Sequence, residues 1–186
     1  MAVTAPTATE RASRVKLMIF DVDGVLTDGG LLFTAEGDTM KGFNSMDGHG
    51  MKLLRQAGIE TAIITGRKSG IVAARVKDLN VAHVYQGVQD KPQAFADLLQ
   101  KTGLAAEDCG YMGDDWVDLA VMLRVGFAAA PANSHPEVIA RAHWVSEARG
   151  GYGAAREVCD TLLRAQNKYE ALLAQACSGE QKGLVG

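Results

Sequence analysis

Val15-Lys16-Leu17-Met18-Ile19-Phe20-Asp21-Val22-Asp23-Gly24-Val25-Leu26-Thr27 is the stretch that decides the fold. Val15–Phe20 is an apolar run broken by one lysine, short enough for a strand buried on both faces. Two aspartates and a glycine follow at once, so the chain leaves that strand in a turn carrying charge. The arrangement recurs downstream. Ile59–Thr65 leads into Gly66-Arg67, and Val81–Tyr85 is followed shortly by Lys91-Pro92. Cys109–Met112 runs into Gly113-Asp114-Asp115-Trp116-Val117-Asp118. Gly126–Ala130 and His143–Ser146 complete six expected strands. Helical patterns lie between them: Gly50–Ala57, Ser69–Leu79 with Ile71, Val72, Val76 and Leu79 on one face, Pro92–Thr102, Asp115–Leu123, Pro136–Arg141, and a long final helix from about Gly153. Strands alternating with helices predict an α/β, Rossmann-like parallel sheet flanked by helices.

One insertion breaks the alternation. Residues 29–43 hold Leu31-Leu32-Phe33, a Gly37-containing turn, and Thr39–Phe43, which reads as a β-hairpin. An isolated hairpin is marginal in water, so one carrying Leu31, Phe33, Met40 and Phe43 should pack on its own domain or on another subunit. The expected organisation is a flexible N-terminal tail over 1–14, one domain over 15–164, and a C-terminal helix and tail over 165–186.

Composition narrows the function. The chain has 186 residues, 47% of them apolar and 22% charged, which fits one globular domain and excludes wholesale disorder. Its net charge of −3 argues against a nucleic-acid partner bound through phosphate neutralisation. No apolar run approaches the ~18 residues of a membrane helix, and Met1–Arg14 has no apolar core of a secretory signal. Cys109, Cys159 and Cys177 have no metal or disulfide spacing and read as reduced residues of a cytoplasmic protein. His49, His83, His135 and His143 show no metal spacing either, and Trp116 and Trp144 read as packing residues.

The chemistry follows from what stands after the strands. In an open parallel sheet, ligands bind beyond the carboxyl ends of the strands, so Asp21, Asp23, Thr65, Lys91, Asp114, Asp115 and Asp118 should converge. Carboxylates that close repel one another unless a hard cation sits among them, and Mg²⁺ suits such donors. A threonine hydroxyl and a lysine opposite them suit the equatorial oxygens of a phosphoryl group. A cation site, a phosphate clamp and a free carboxylate together describe phosphoryl transfer through an aspartyl phosphate. Taken singly, the pieces say less: Asp-x-Asp is often a turn, Asp115 and Asp118 can cap a helix, and Arg75 can be a solvated helix residue.

In this order the four motifs, Asp21-x-Asp23-Gly-x-Leu-Thr, Thr65, Lys91 and Gly113-Asp114-Asp115-x-x-Asp118, resemble those of the haloacid dehalogenase superfamily of phosphatases. Phe43-Asn44-x-x-Asp47-Gly48, Thr65-Gly66-Arg67, Tyr85-Gln86-Gly87 and Gly150-Gly151-x-Gly153-Ala154-x-Arg156-Glu157 are similar to a small branch acting on phosphorylated sugar acids in lipopolysaccharide biosynthesis. The resemblance spans about Lys16 to Leu163. It implies a Mg²⁺-dependent phosphatase, with Asp21 as nucleophile and metal ligand. Asp23 would lend its carbonyl to the metal and act as acid, then base. Thr65 and Lys91 would hold the phosphoryl group, and Asp114 would be a further metal ligand. The resemblance leaves the roles of Asp115 and Asp118 open, with orienting their neighbours as one candidate. Substrate contacts would fall at Asp23, Asn44, Ser45, Met46, Asp47, Gly48, Lys52, Arg67, Arg75 and Lys91. Relatives can carry a basic residue where Ser45-Met46 stands, which removes one candidate partner for a substrate carboxylate. The insertions are too short for the cap domain of larger members. Specificity is therefore expected from neighbouring subunits in a homotetramer, and Gly150–Gly153 from a link able to fold over the site. The alternatives left by the residues are a phosphatase of another sugar-acid phosphate and a non-enzymatic phosphate-responsive module.

Overall fold

The computed structural model describes residues 5–179. Six strands, β1 (Leu17–Phe20), β4 (Glu60–Thr65), β5 (His83–Gln86), β6 (Cys109–Met112), β7 (Phe127–Ala130) and β8 (Trp144–Val145), form one sheet in the order β5-β4-β1-β6-β7-β8. Every pairing in it is parallel. β1 alternates strictly. Leu17 and Ile19 enter the core shared with Ala94, Phe95, Leu98, Val121 and Val138. Met18 and Phe20 enter the core shared with Met51, Leu54, Val72, Val158 and Leu162. All four are fully buried, which is why the strand reads as an unbroken apolar run.

Helices cover both faces: α1 (Ala8–Ala12), α2 (Ser45–Gln56), α3 (Gly70–Asp78) and α7 (Ala154–Ala165) on one, α4 (Lys91–Thr102), α5 (Trp116–Met122) and α6 (Pro136–Ile139) on the other. The α/β fold class therefore stands. From the central β1 the sheet grows first through β4 and β5, then on the other side through β6, β7 and β8. That reversal of direction opens a crevice beyond the end of β1. β2 (Leu32–Thr34) and β3 (Gly37–Met40) form the expected hairpin as a separate two-stranded antiparallel sheet.

Three expectations are corrected. The tail over 1–14 contains α1, held by a Thr7–Glu10 capping box and by burial of Ala12 against α7; residues 1–4 lie outside the described part. α2 starts at Ser45 rather than Gly50, because the Asn44 side chain accepts the Met46 N–H at 2.8 Å and caps it. The final helix is two: α7 ends at Ala165, Asn167 takes a left-handed φ of 56°, and α8 (Tyr169–Ser178) follows. The expected tail beyond 179 lies outside the described residues.

Candidate active site

The first motif continues the sheet for one residue before it turns. Asp21 N–H donates to the Met112 carbonyl at 3.0 Å, which fixes Asp21 just past the end of β1. The Val22 carbonyl then accepts N–H groups from Val25, Leu26 and Thr27, and the loop closes on itself. Thr27, 1% exposed, accepts the Gly24 and Gly29 N–H groups on its hydroxyl, so the motif's threonine braces the loop from within. Gly24 has a φ of +87°, and a Cβ there would stand 2.0 Å from Asp114 Oδ2. Glycine at this position lets the Asp114 carboxylate lie against the loop backbone.

Lys91 opens α4, 5% exposed, behind an Asp90 cap and ahead of Pro92. Its ammonium lies 3.0 Å from Asp21 Oδ2 and 2.7 Å from Asp118 Oδ1. Asp118 is fully buried and its acceptor capacity is filled. Oδ1 also accepts the Tyr111 hydroxyl at 2.6 Å, while Oδ2 accepts the N–H groups of Asp114 and Asp115 at 3.1 and 3.3 Å. Thr65, 2% exposed at the end of β4, lines the same cavity. That open cavity is about 630 Å³ and its wall carries Asp21, Asp23, Thr65, Arg67, Lys91 and Asp114.

The electrostatics are strained by design. Burial pushes the Asp21 carboxyl up to about 6, with Asp118 adding repulsion against the pull of Lys91. Burial, Asp118 and Asp21 push Asp114 up to about 7. For Lys91, burial works against the charge, but Asp21 and Asp118 outweigh it and its pKa is raised. A hard divalent cation fits what remains. Carboxylate oxygens of Asp21, Asp114 and Asp118 lie within 4.8 Å of one another, and Asp21 Oδ1 is buried with no hydrogen-bond partner. Because both Asp118 oxygens are engaged, the side chains left to hold the ion are Asp21 and Asp114.

The chain is 44% identical over 172 residues to the 3-deoxy-D-manno-octulosonate 8-phosphate phosphatase of Salmonella typhimurium, covering 92% of each. A structure of the Moraxella catarrhalis 3-deoxy-D-manno-octulosonate 8-phosphate phosphatase with magnesium ion, phosphate ion and KDO is 39% identical. The match covers 91% of this chain and 97% of that one, with a TM-score of 0.88. The Yersinia pestis phosphatase of that name superposes with a TM-score of 0.85 at 42% identity, covering 88% of each chain. Residues 76–156 match the haloacid dehalogenase-like hydrolase family. The chain belongs to the 3-deoxy-D-manno-octulosonate 8-phosphate phosphatases of the haloacid dehalogenase-like hydrolases.

Not every residue expected at the site reaches this family's catalytic cavity within one subunit. Asn44, Ser45, Met46, Asp47 and Gly48 form the cap and first turn of α2, Lys52 is half-buried farther along it, and none lines the cavity. Asp47, 2% exposed, accepts the Arg156 N–H at 2.8 Å and so caps α7, whose Gly153 supplies no side-chain cap. Burial raises its carboxyl pKa while the N–H groups of Arg156, Gly153 and Ala155 oppose the rise. Arg75 is tied to Asp78 at 2.9 Å and reaches back to the Asn44 carbonyl. Gly150–Gly153 is no free link. Gly151 N–H donates to the Val25 carbonyl at 3.0 Å and Gly150 N–H to Asn133 Oδ1 at 2.8 Å, which fastens the segment behind the first-motif loop. Three participants were missed in the sequence. The sequence offered no reading of Tyr111, of Thr27 beyond its place in the first motif, or of Lys41, whose Nζ lies 2.5 Å from Asp23 Oδ1.

Proposed function

We propose that this chain hydrolyses 3-deoxy-D-manno-octulosonate 8-phosphate to KDO and phosphate, in lipopolysaccharide biosynthesis, with Mg²⁺ as cofactor. The observation that carries the reading is the reacting end of the cavity: Asp21 with one oxygen on Lys91 and the other buried without a hydrogen-bond partner, beside Asp114. Mg²⁺, when bound there, neutralises the crowded carboxylates and the incoming phosphate. Asp21 attacks phosphorus, the P–O bond to the sugar breaks, and the leaving oxygen takes a proton from Asp23. Asp23 then removes a proton from water, whose oxygen displaces Asp21 from phosphorus and releases phosphate. Thr65 and Lys91 hold the transferring group, and Asp118 holds Lys91. A second carboxylate able to activate water distinguishes this site from a phosphate-responsive module that stores the phosphoryl group.

Arg67 lies on the cavity wall with 47% of its side chain exposed, which supports it as the cation that pairs with the sugar carboxylate. Such a charge-assisted pair is worth about 1.5–3 kcal/mol, so kcat/KM for KDO 8-phosphate should exceed that for glucose 6-phosphate roughly tenfold to a hundredfold. Equal efficiency would remove the sugar-acid assignment and spare the phosphatase. Self-association as a homotetramer is part of the proposal. Leu31, Leu32, Phe33 and Met40 leave 39%, 53%, 55% and 62% of their surface exposed on the hairpin, an apolar face suited to symmetric burial. Light scattering that finds a monomer at micromolar concentration would exclude it. A cytoplasmic setting is supported by three cysteines that remain free. No helix among the described residues is long and apolar enough to cross a membrane.

A further inference from the structure

The geometry points to Lys41 as a positioning residue for Asp23, supplied by the hairpin to the catalytic loop. Lys41 follows β3 directly, where a lysine ordinarily extends into water. Here its side chain is 2% exposed, and its ammonium lies 2.5 Å from Asp23 Oδ1. An ammonium withdrawn from water that far needs a carboxylate beside it, so the contact is a requirement of the buried lysine and not an accident of a mobile one. The other Asp23 oxygen lies 3.5 Å from Arg67 Nε. Arg67 in turn places its guanidinium carbon 5.7 Å from the Phe33 ring centre, on β2. Asp23 is thus gripped through both oxygens by cations that lead back to the two hairpin strands. Among the described residues the hairpin shares no strand pairing with the main sheet, and these side-chain contacts tie it to the first motif.

A carboxyl that must hand a proton to one oxygen and take a proton from another has to be held in one rotamer, since proton transfer needs heavy atoms within hydrogen-bond reach. Lys41 does not line the cavity and would not touch substrate; it acts through Asp23. The inference rests on Asp23 as the proton donor to the leaving group, and the test uses that dependence. An alkyl phosphate such as KDO 8-phosphate needs its leaving oxygen protonated, whereas 4-nitrophenyl phosphate releases a stabilised phenolate and needs far less help.

With the full chain and saturating Mg²⁺, kcat/KM is compared for the two esters in wild type, Lys41→Met, Lys41→Arg, Asp23→Asn and the Lys41→Met/Asp23→Asn double variant. Lys41→Met should lower kcat/KM for the alkyl ester about tenfold or more while changing the aryl ester less than about threefold. Lys41→Arg should recover part of the loss, and the second substitution should add little once Asp23 is Asn. Equal losses on both esters, or none, overturn the role of Lys41 and leave the phosphatase reading intact. An Asp23→Asn variant that keeps full efficiency on the alkyl ester overturns both.

Discussion

Replacing Asp118 with asparagine tests the electrostatic argument at its centre. The residue is fully buried and accepts four hydrogen bonds: from Lys91 and Tyr111 on one oxygen, and from the Asp114 and Asp115 N–H groups on the other. An amide keeps the shape and must turn its NH₂ toward one of those donor pairs. Either orientation sets donors against donors. Breaking one member of a buried pair costs about 3–5 kcal/mol. Two effects reduce that figure here. Lys91 keeps Asp21 at 3.0 Å, and loss of the Asp118 charge relieves the repulsion that raises Asp21 and Asp114. The expected net destabilisation is about 2–4 kcal/mol by urea unfolding without metal, smaller than a clean buried-pair deletion. Activity should fall about tenfold to a hundredfold, as for other residues that orient a site through their neighbours, because Lys91 then settles on Asp21 and occupies the nucleophile. An Asp118→Asn protein within 1 kcal/mol or so of wild type and of near-normal kcat would refute the claim that this carboxylate organises the site.

Two further outcomes follow from the same cluster. Asp114 and Asp21 titrate near 7 and 6 without metal, above the ordinary 3.8, so their stabilising contribution is present at low pH and lost as pH rises through those values. Between pH 8 and 6.5, above the range where His49 and His143, whose pKa values partial burial lowers, oppose the trend, metal-free Tm should rise as pH falls; excess Mg²⁺ or Asp114→Asn should flatten the slope, and a slope of opposite sign would refute the assignment. Asp21→Asn should abolish hydrolysis, because an amide cannot serve as the nucleophile, while raising metal-free Tm at pH 8 and losing the stabilisation that Mg²⁺ gives wild type. Residual turnover on KDO 8-phosphate near the wild-type rate would remove Asp21 from the mechanism.

The middle of the sheet was legible because its strands are buried on both faces, so Leu17–Phe20 and Cys109–Met112 stand out as apolar runs whatever surrounds them. The motif residues were legible because the turn after each strand is where charge interrupts that run. α1 was hidden for a different reason. Its one local signal is the Thr7-x-x-Glu10 capping box, too little to mark a five-residue helix whose other supports, a buried Ala12 and packing on α7, leave no local trace. The start of α2 was obscured by Gly48 and Gly50, poor helix formers that are needed where neighbours come close: a Cβ on Gly48 would meet Arg75 Nη2 at 2.2 Å. Lys41 and Asp47 were illegible in kind. Lys41, on which the sequence offers no reading, is buried on Asp23, and Asp47, which the resemblance puts among the substrate contacts, caps a helix distant in sequence. Both depend on which loop the fold brings opposite, and a motif does not encode that.

The glycines explain how loops from distant parts of the sequence close tightly around the nucleophile. A Cβ on Gly150 would stand 1.8 Å from the Gly24 carbonyl oxygen, and a Cβ on Gly24 would stand 2.0 Å from Asp114 Oδ2. Backbone therefore rests on backbone, and backbone on carboxylate, with no side chain between. Asp114 N–H donates to Asp118, Asp118 grips Lys91, and Lys91 reaches Asp21. The contacts form a closed circuit, since Asp21 begins the loop that Gly24 continues. The side chains in the circuit, Asp118, Lys91 and Asp21, are buried and held by their partners, and the glycine contacts add links that bring no rotamers of their own. The Gly150-Gly151 pair serves the same end as the glycine of the first motif. It lets one loop press on another closely enough that the position of the carboxylates is set by main chain and buried side chains and not by the packing of exposed ones.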